Sequence, residues 1–146
     1  MSAKEIKALV RRFVEEWNKG KAATMVVLDE LFATDFVMHH GTGEEIHGLK
    51  DFKQHVSEAF NVFPDLHFTI DDMVVEGNKI ATRWTLTGTH KGEFMGRPPT
   101  NKKVKIWAIT IDRIADGKLM EEWERYDTLG LMQQLGITPT PKKGRR

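Results

Sequence analysis

Apolar positions recur every three or four residues through the first part of the chain and every second residue from about residue 66 onward. Ser2-Ala3-Lys4-Glu5 has the form of a capping box, in which a hydroxyl and a carboxylate take free backbone N–H groups at a helix start. Ile6, Leu9, Val10, Phe13 and Trp17 follow at helical spacing, and Asn18-Lys19-Gly20 supplies the stop. A second helix is predicted over about residues 22–32, burying Met25, Leu28, Leu31 and Phe32. Residues 35–40 read as a short strand, and the turn-rich stretch 41–48 reads as a connector. A third helix, over about residues 49–60, places Phe52, Val56, Ala59 and Phe60 on one face, and Phe63-Pro64-Asp65 ends it.

The later segments switch to strand chemistry. Residues 66–76 and 79–90 are joined at Glu76-Gly77-Asn78, and a Gly-, Pro- and Asn-containing loop spans 91–102. A last hairpin turns at Asp116-Gly117, a pair that tolerates the positive φ a two-residue loop requires. A short helix closes the pattern before Gly136. Helices followed by a four-strand antiparallel meander predict an α+β fold with the helices packed on one face of a curved sheet. Trp107, Ile109, Ile111 and Trp123 share one parity on the last two strands, so the opposite face is apolar too. A homodimer through that face is the expected partner arrangement. Residues 1–136 are read as one domain, and 137–146 as a basic, Pro-containing tail expected to be mobile.

Composition narrows the function classes. Twenty-two basic side chains nearly cancel 21 acidic ones, which leaves no electrostatic footprint for nucleic acid or an acidic membrane surface. The absence of cysteine excludes disulfides, thiol catalysis and thiolate metal sites. No apolar run is long enough to span a membrane, and a cytoplasmic protein is expected.

The candidate chemistry lies in the final strand, where Glu121, Glu122 and Glu124 precede Asp127. Alternation puts Met120, Glu122, Glu124 and Tyr126 on one face and Leu119, Glu121, Trp123 and Arg125 on the other. Asp127, just before Thr128-Leu129-Gly130, suits a helix N-cap. Glu121 is expected to pair with Arg113 across the hairpin, and Glu122, nearer the turn, to sit at a pocket mouth or in solvent. His39 and His40 are adjacent on a strand and point to opposite faces, so they cannot chelate one ion, and no metal motif accompanies them. One of the pair is expected to line a cavity, with His39 preferred. Gly88, Gly92 and Gly96 lack the lysine and helix of a nucleotide-binding loop, and no nucleophile elbow is present.

The run Gly88-Thr-His90-Lys-Gly92-Glu-Phe-Met-Gly96-Arg-Pro98-Pro99-Thr100 resembles, at every spacing, a loop of the SnoaL-like polyketide cyclases, small enzymes of the nuclear-transport-factor-like cone fold. The hairpin from Ile114 to Gly136, and the Trp17-Asn18-Lys19-Gly20 helix ending, are similar to the same family. The resemblance implies a cone with a deep apolar pocket and metal-free, cofactor-free acid–base chemistry: an intramolecular aldol ring closure of a polyketide ester. The family's acidic residue on the last strand falls on Glu124, which keeps the acid with one methylene more. Its helper histidine falls on Thr110 and its first-strand asparagine on Met38.

With that family in view, Trp17, Trp84 and Tyr126 are candidates both for core and for pocket wall, and Met95 with Phe94 sits on a loop tip that should cover something. His90 has two readings: a hydrogen bond that fixes its loop, or a catalytic contact to substrate or Glu124 as the loop closes the mouth. The expected activity is an acid–base enzyme acting on a hydrophobic, carbonyl-bearing small molecule. A non-catalytic ligand binder, or an isomerase or hydratase on the same fold, stands as the alternative.

Overall fold

The computed structural model describes residues 1–137, so the expected mobile tail lies, but for Ile137, outside the described residues. Four helices and six strands follow in the order α1 (Ala3–Trp17), α2 (Lys21–Leu31), β1 (Phe32–His39), β2 (Glu45–His47), α3 (Leu49–Val62), β3 (His67–Glu76), β4 (Lys79–Thr89), β5 (Lys103–Ala115), β6 (Lys118–Tyr126) and α4 (Thr128–Leu135). The α+β expectation holds.

Local chemistry sets the boundaries. The Ser2 hydroxyl accepts the Glu5 backbone N–H while the Glu5 carboxylate accepts that of Ser2, which completes the capping box. Asn18, just past α1, bonds the backbone of Phe68 with both ends of its amide and so fastens the helix to β3. The Asp116-Gly117 turn has positive φ at both residues, 52° and 73°, as its sequence predicts. Asp127 caps α4 by accepting the Gly130 N–H at 2.9 Å.

The sheet departs from a four-strand meander in three ways. Its order is β2-β1-β6-β5-β4-β3, six strands, with β1 running parallel to β6 and every other pair antiparallel. The stretch 41–48 is not merely a connector, because Glu45–His47 folds back on β1 as β2. Phe32 begins β1 instead of ending α2, since its backbone is already extended (φ −108°, ψ 141°).

β5 alternates buried and exposed residues for most of its length. Val104, Ile106, Ala108, Thr110, Asp112 and Ile114 point inward. Trp107, Ile109 and Ile111 stand on the outer face. α1 packs on β3 and α3 on β1, at opposite sides of the sheet, while α2 touches both helices. The sheet must therefore curl around a shared core of Ile6, Phe13, Leu28, Phe32, Phe36, Phe52 and Phe60. A smaller apolar cluster of Phe63, Val104, Ile106, Leu131 and Leu135 forms where α4 meets β5.

One irregularity matters for the site. Arg113 pairs with Glu121 but Ile114 pairs with Leu119, so Met120 is an extra residue in β6. Leu119 is thereby returned to the inner face, 2% exposed beside Ile114, contrary to simple alternation. Beyond the bulge, Glu122, Glu124 and Tyr126 keep the inward parity expected of them.

The loop from Lys91 to Lys102 is pinned at its start. The N–H groups of Lys91 and Gly92 both donate to the Val62 carbonyl at the end of α3. A Cβ at Gly92 would lie 2.0 Å from the Asn61 carbonyl oxygen. Gly92→Ala should therefore push the loop off α3 and lower stability by roughly 2 kcal/mol, read as a drop in the denaturation midpoint in urea. An unchanged midpoint would mean that the loop is not anchored there.

Candidate active site

Between the helices and the inner sheet face lies a cavity of about 560 Å³, within the range of small-molecule sites. Phe13, Trp17, Phe68, Trp84 and Leu86 supply apolar walls, and Met95 stands at the loop side with 64% exposure. Met38, Thr110, Glu122, Glu124, His40 and Tyr126 form the polar end. Seven residues singled out from the sequence thus meet in one cavity: Trp17, Met38, Trp84, Met95, Thr110, Glu124 and Tyr126.

Glu124 sits on β6 opposite Thr110, and its side chain is 19% exposed, on the side that faces the cavity. Burial first, and the neighbouring Glu122 second, push its carboxyl up to about 8, against the pull of the Gly41 backbone N–H and Arg125. Thr110 does not act as a free hydroxyl, because its Oγ1 accepts the Trp84 indole N–H at 2.9 Å. Beneath Glu124 a second inward pair, Asp112 and Glu122, faces across β5 and β6. Glu122 is not at the mouth or in bulk solvent, as its nearness to the turn suggests, because it shares the inward parity of Glu124 and lines the cavity opposite Asp112. Burial raises the Asp112 carboxyl to about 6, and it also holds Glu122 well above the ordinary carboxylate range, with Asp112 adding repulsion.

The histidines are redistributed. His39 is a correction: its ring points to the outer face, with Nδ1 2.8 Å from Glu45 and Nε2 2.7 Å from Glu121, stacked on Trp123. The Glu121 hydrogen bond, more than the contact with Glu45, raises its pKa. Glu121 also bonds Arg113 at 3.3 Å, as expected, so it belongs to an outer network. His90 is a second correction as a catalytic candidate. It is fully buried, Nδ1 accepts the Thr100 N–H at 3.2 Å and meets its hydroxyl at 2.9 Å, and it is not part of the cavity wall. The loop-fixing reading stands for His90.

Two other histidines line the cavity: His40, the less favoured of the adjacent pair, and His55, which the sequence reading did not single out. Phe36, Met38 and His40 share a parity on β1 and its extension, so His40 enters the cavity where His39 leaves it. Its Nδ1 accepts the Thr42 N–H at 3.3 Å, which leaves the proton on Nε2, 3.6 Å from Glu124 Oε1. His55 lies on α3 with Phe52, Val56 and Ala59, at i+3, i+4 and i+7 spacing, and its ring meets that of His40 at 4.8 Å. Burial lowers the pKa of both rings, and His55 lowers that of His40 further. At neutral pH the arrangement holds a neutral imidazole, its Nε2–H turned toward a carboxyl of raised pKa: the imidazole is a hydrogen-bond donor on the cavity side, and the carboxyl is the group that takes up or gives up a proton.

No three His, Asp or Glu side chains among the described residues are arranged so that they could hold one metal ion, and no described helix is long and apolar enough to cross a membrane.

Burial of Glu124 has a thermodynamic sign. Its folded pKa lies above its unfolded value of 4.5, so the folded chain holds the proton more tightly. That contribution is complete below about pH 4.5 and is lost as pH rises to about 8. Glu124→Gln, which cannot ionise, should gain on the wild type across that window, by roughly 10 °C in Tm between pH 5 and 8. A Tm difference that stays constant with pH would overturn the buried-acid assignment.

The comparisons with known proteins agree with this geometry. A family model described as SnoaL-like polyketide cyclase matches residues 7–135. An aklanonic acid methyl ester cyclase of Streptomyces peucetius is 29% identical over 137 residues, covering 92% of this chain and 93% of its own. A nogalonic acid methyl ester cyclase of Streptomyces nogalater is 27% identical over 126 residues, covering 84% and 91%. Among solved structures, the candidate hydroxylase AclR of Streptomyces galilaeus superposes with a TM-score of 0.83 at 30% identity, over 97% of this chain and 91% of that one. The match over residues 7–135, with these relatives beside it, shows that the chain belongs to the SnoaL-like polyketide cyclase family.

Proposed function

We propose that the protein is an acid–base enzyme that closes a ring in an apolar, carbonyl-bearing polyketide ester by intramolecular aldol condensation, with Glu124 as the base. One observation carries this reading: Glu124, a carboxyl of pKa about 8, stands with Glu122 at the polar end of an otherwise largely aromatic and aliphatic cavity, beside a neutral imidazole. A carboxylate of that strength is a better carbon base than an ordinary one, and part of it is ionised near neutrality.

In the proposed cycle Glu124 takes a proton from the carbon between two carbonyl groups. The enolate carbon attacks a further carbonyl of the same molecule, distinct from the two that flank it, forming the ring C–C bond and turning that C=O into an alkoxide. The alkoxide then takes the proton back from Glu124, so no oxidant, reductant or co-reactant is consumed. His40 Nε2–H is placed to donate to the developing oxyanion, the part for which His90 was a sequence candidate. Trp17, Trp84, Phe13 and Phe68 suit a flat, apolar substrate, and the relatives are named as cyclases of methyl esters.

Glu124→Gln should lower kcat on aklanonic acid methyl ester by about 100-fold or more, and His40→Gln by a smaller factor. In the wild type kcat/KM should rise with pH up to about 8. Activity of Glu124→Gln within a few-fold of wild type would refute Glu124 as the base.

The outer sheet face supports a homodimer as part of the same proposal. Trp107, Ile109 and Ile111 are 53%, 42% and 40% exposed on adjacent outward rungs of β5, with Trp123 beside them on β6. A two-fold pairing would let each copy cover the other's patch. Sedimentation should give a dimer at micromolar concentration and a monomer for Ile111→Lys. A wild type that sediments as a monomer would exclude the pairing.

A further inference from the structure

Asp112 and Glu122 stand directly opposite each other on antiparallel strands, with Cβ atoms about 5 Å apart. One inward rung along, Thr110 faces Glu124, so Glu122 and Glu124 are about 7 Å apart on one face of β6. The flanks of the lower pair are apolar: fully buried Ile80 lies beside Asp112 on β4, and Met38, 3% exposed, lies beside Glu122 on β1. Asp112 is itself 2% exposed, and its Oδ1 has no hydrogen-bond partner among the described residues. Arg113, next in sequence, points outward and is bound to Glu121. Two carboxylates this close, with no cation between them, cannot both ionise: desolvation and mutual repulsion each retain a proton.

We propose that Asp112 and Glu122 work as one unit, a carboxyl–carboxylate pair sharing a single proton, and that the one negative charge they keep sets the base strength of Glu124. This rests on the reading of Glu124 as the base. The groups that face Glu124 leave that charge uncancelled. Thr110 approaches from β5, and Glu122 and Tyr126 from β6. His40 and the Gly41 N–H approach from the turn after β1. His55 stands behind His40 on α3, with Glu58 further along the cavity wall. Burial keeps both histidines neutral near pH 7. Arg125 is exposed, and it donates to the Glu124 backbone carbonyl, not to the carboxylate. Glu122 accordingly ranks second, after burial, among the causes that raise Glu124. Asp112 and Glu122 are thus positioning residues, acting on the substrate through Glu124.

A shared proton has a signature that two independent charges lack. Asp112→Asn leaves Glu122 free to ionise, and Glu122→Gln leaves Asp112 ionised, so either single variant keeps one charge under Glu124. Only the double variant removes it. We would follow the Glu124 side-chain carboxyl by 13C NMR titration of the whole protein. Each single variant should move its midpoint by less than about half a pH unit, and the double variant should lower it by about one unit or more. Full-size, additive shifts from the two single variants, or an unmoved midpoint in the double, would overturn the proposal. Should the double variant not fold, the wild type decides: Asp112 and Glu122 together should release one proton between pH 3 and 7, and release of two would overturn the pair. The pH midpoint of kcat/KM on aklanonic acid methyl ester should follow the NMR midpoint through the series. If the NMR pattern holds while kcat/KM does not follow it, the pair stands and Glu124 as the base falls.

Discussion

β5 is the constraint on which the rest depends. Paired along its length with β4 and for most of it with β6, it alternates so regularly that its inner and outer faces become separate surfaces. Inside, the sequence passes from Val104, Ile106 and Ala108 to Thr110 and Asp112 before returning to Ile114. That short polar interval, facing Glu122 and Glu124 across the ladder, is what turns an apolar curl of sheet into a site. Outside, Trp107, Ile109 and Ile111 stand away from the cavity wall.

Local rules were legible where they act over a few residues. The capping box at Ser2–Glu5, the Asp116-Gly117 turn, the Asp127 cap and the Arg113–Glu121 pair are each determined by neighbours in sequence or across one hairpin, and each stands where the residues put it. The inward parity of Glu124 was legible for the same reason. Long-range pairing was not. β2 is three residues long and gains its register only from β1, and the parallel contact of β1 with β6 joins segments more than 80 residues apart. Without that contact nothing in the sequence ties His40 to Glu124. The signal existed, in the alternation Phe36, Met38, His40, but a preference for His39 read the strand one residue out of phase. His55 carried a similar signal, a polar side chain on the apolar stripe of α3.

The two faces also divide the electrostatics. On the outer face Glu121 is shared by His39 and Arg113, and His39 stacks on Trp123, with Lys79 5.5 Å from the centroid of that indole. Opposite charges meet there in water, and each interaction is modest. On the inner face acids meet acids in a largely apolar cavity, with the Gly41 N–H and the more distant Arg125 to soften the repulsion on Glu124. The fold tolerates that cost because aromatic packing among Phe13, Trp17, Phe32, Phe36 and Phe52 consolidates the core around it.

The bulge at Met120 makes the hairpin a counting device. The tight turn at Asp116-Gly117 fixes where β6 begins, and one unpaired residue lets Leu119 and the acids beyond it face the same way. The number of residues between turn and site, and not only their identity, therefore encodes chemistry. Removing one residue from this segment would leave every side chain beyond it chemically intact, yet it would force a choice between a filled core and inward carboxylates. Length variation is thus closed to this hairpin, although substitution is not.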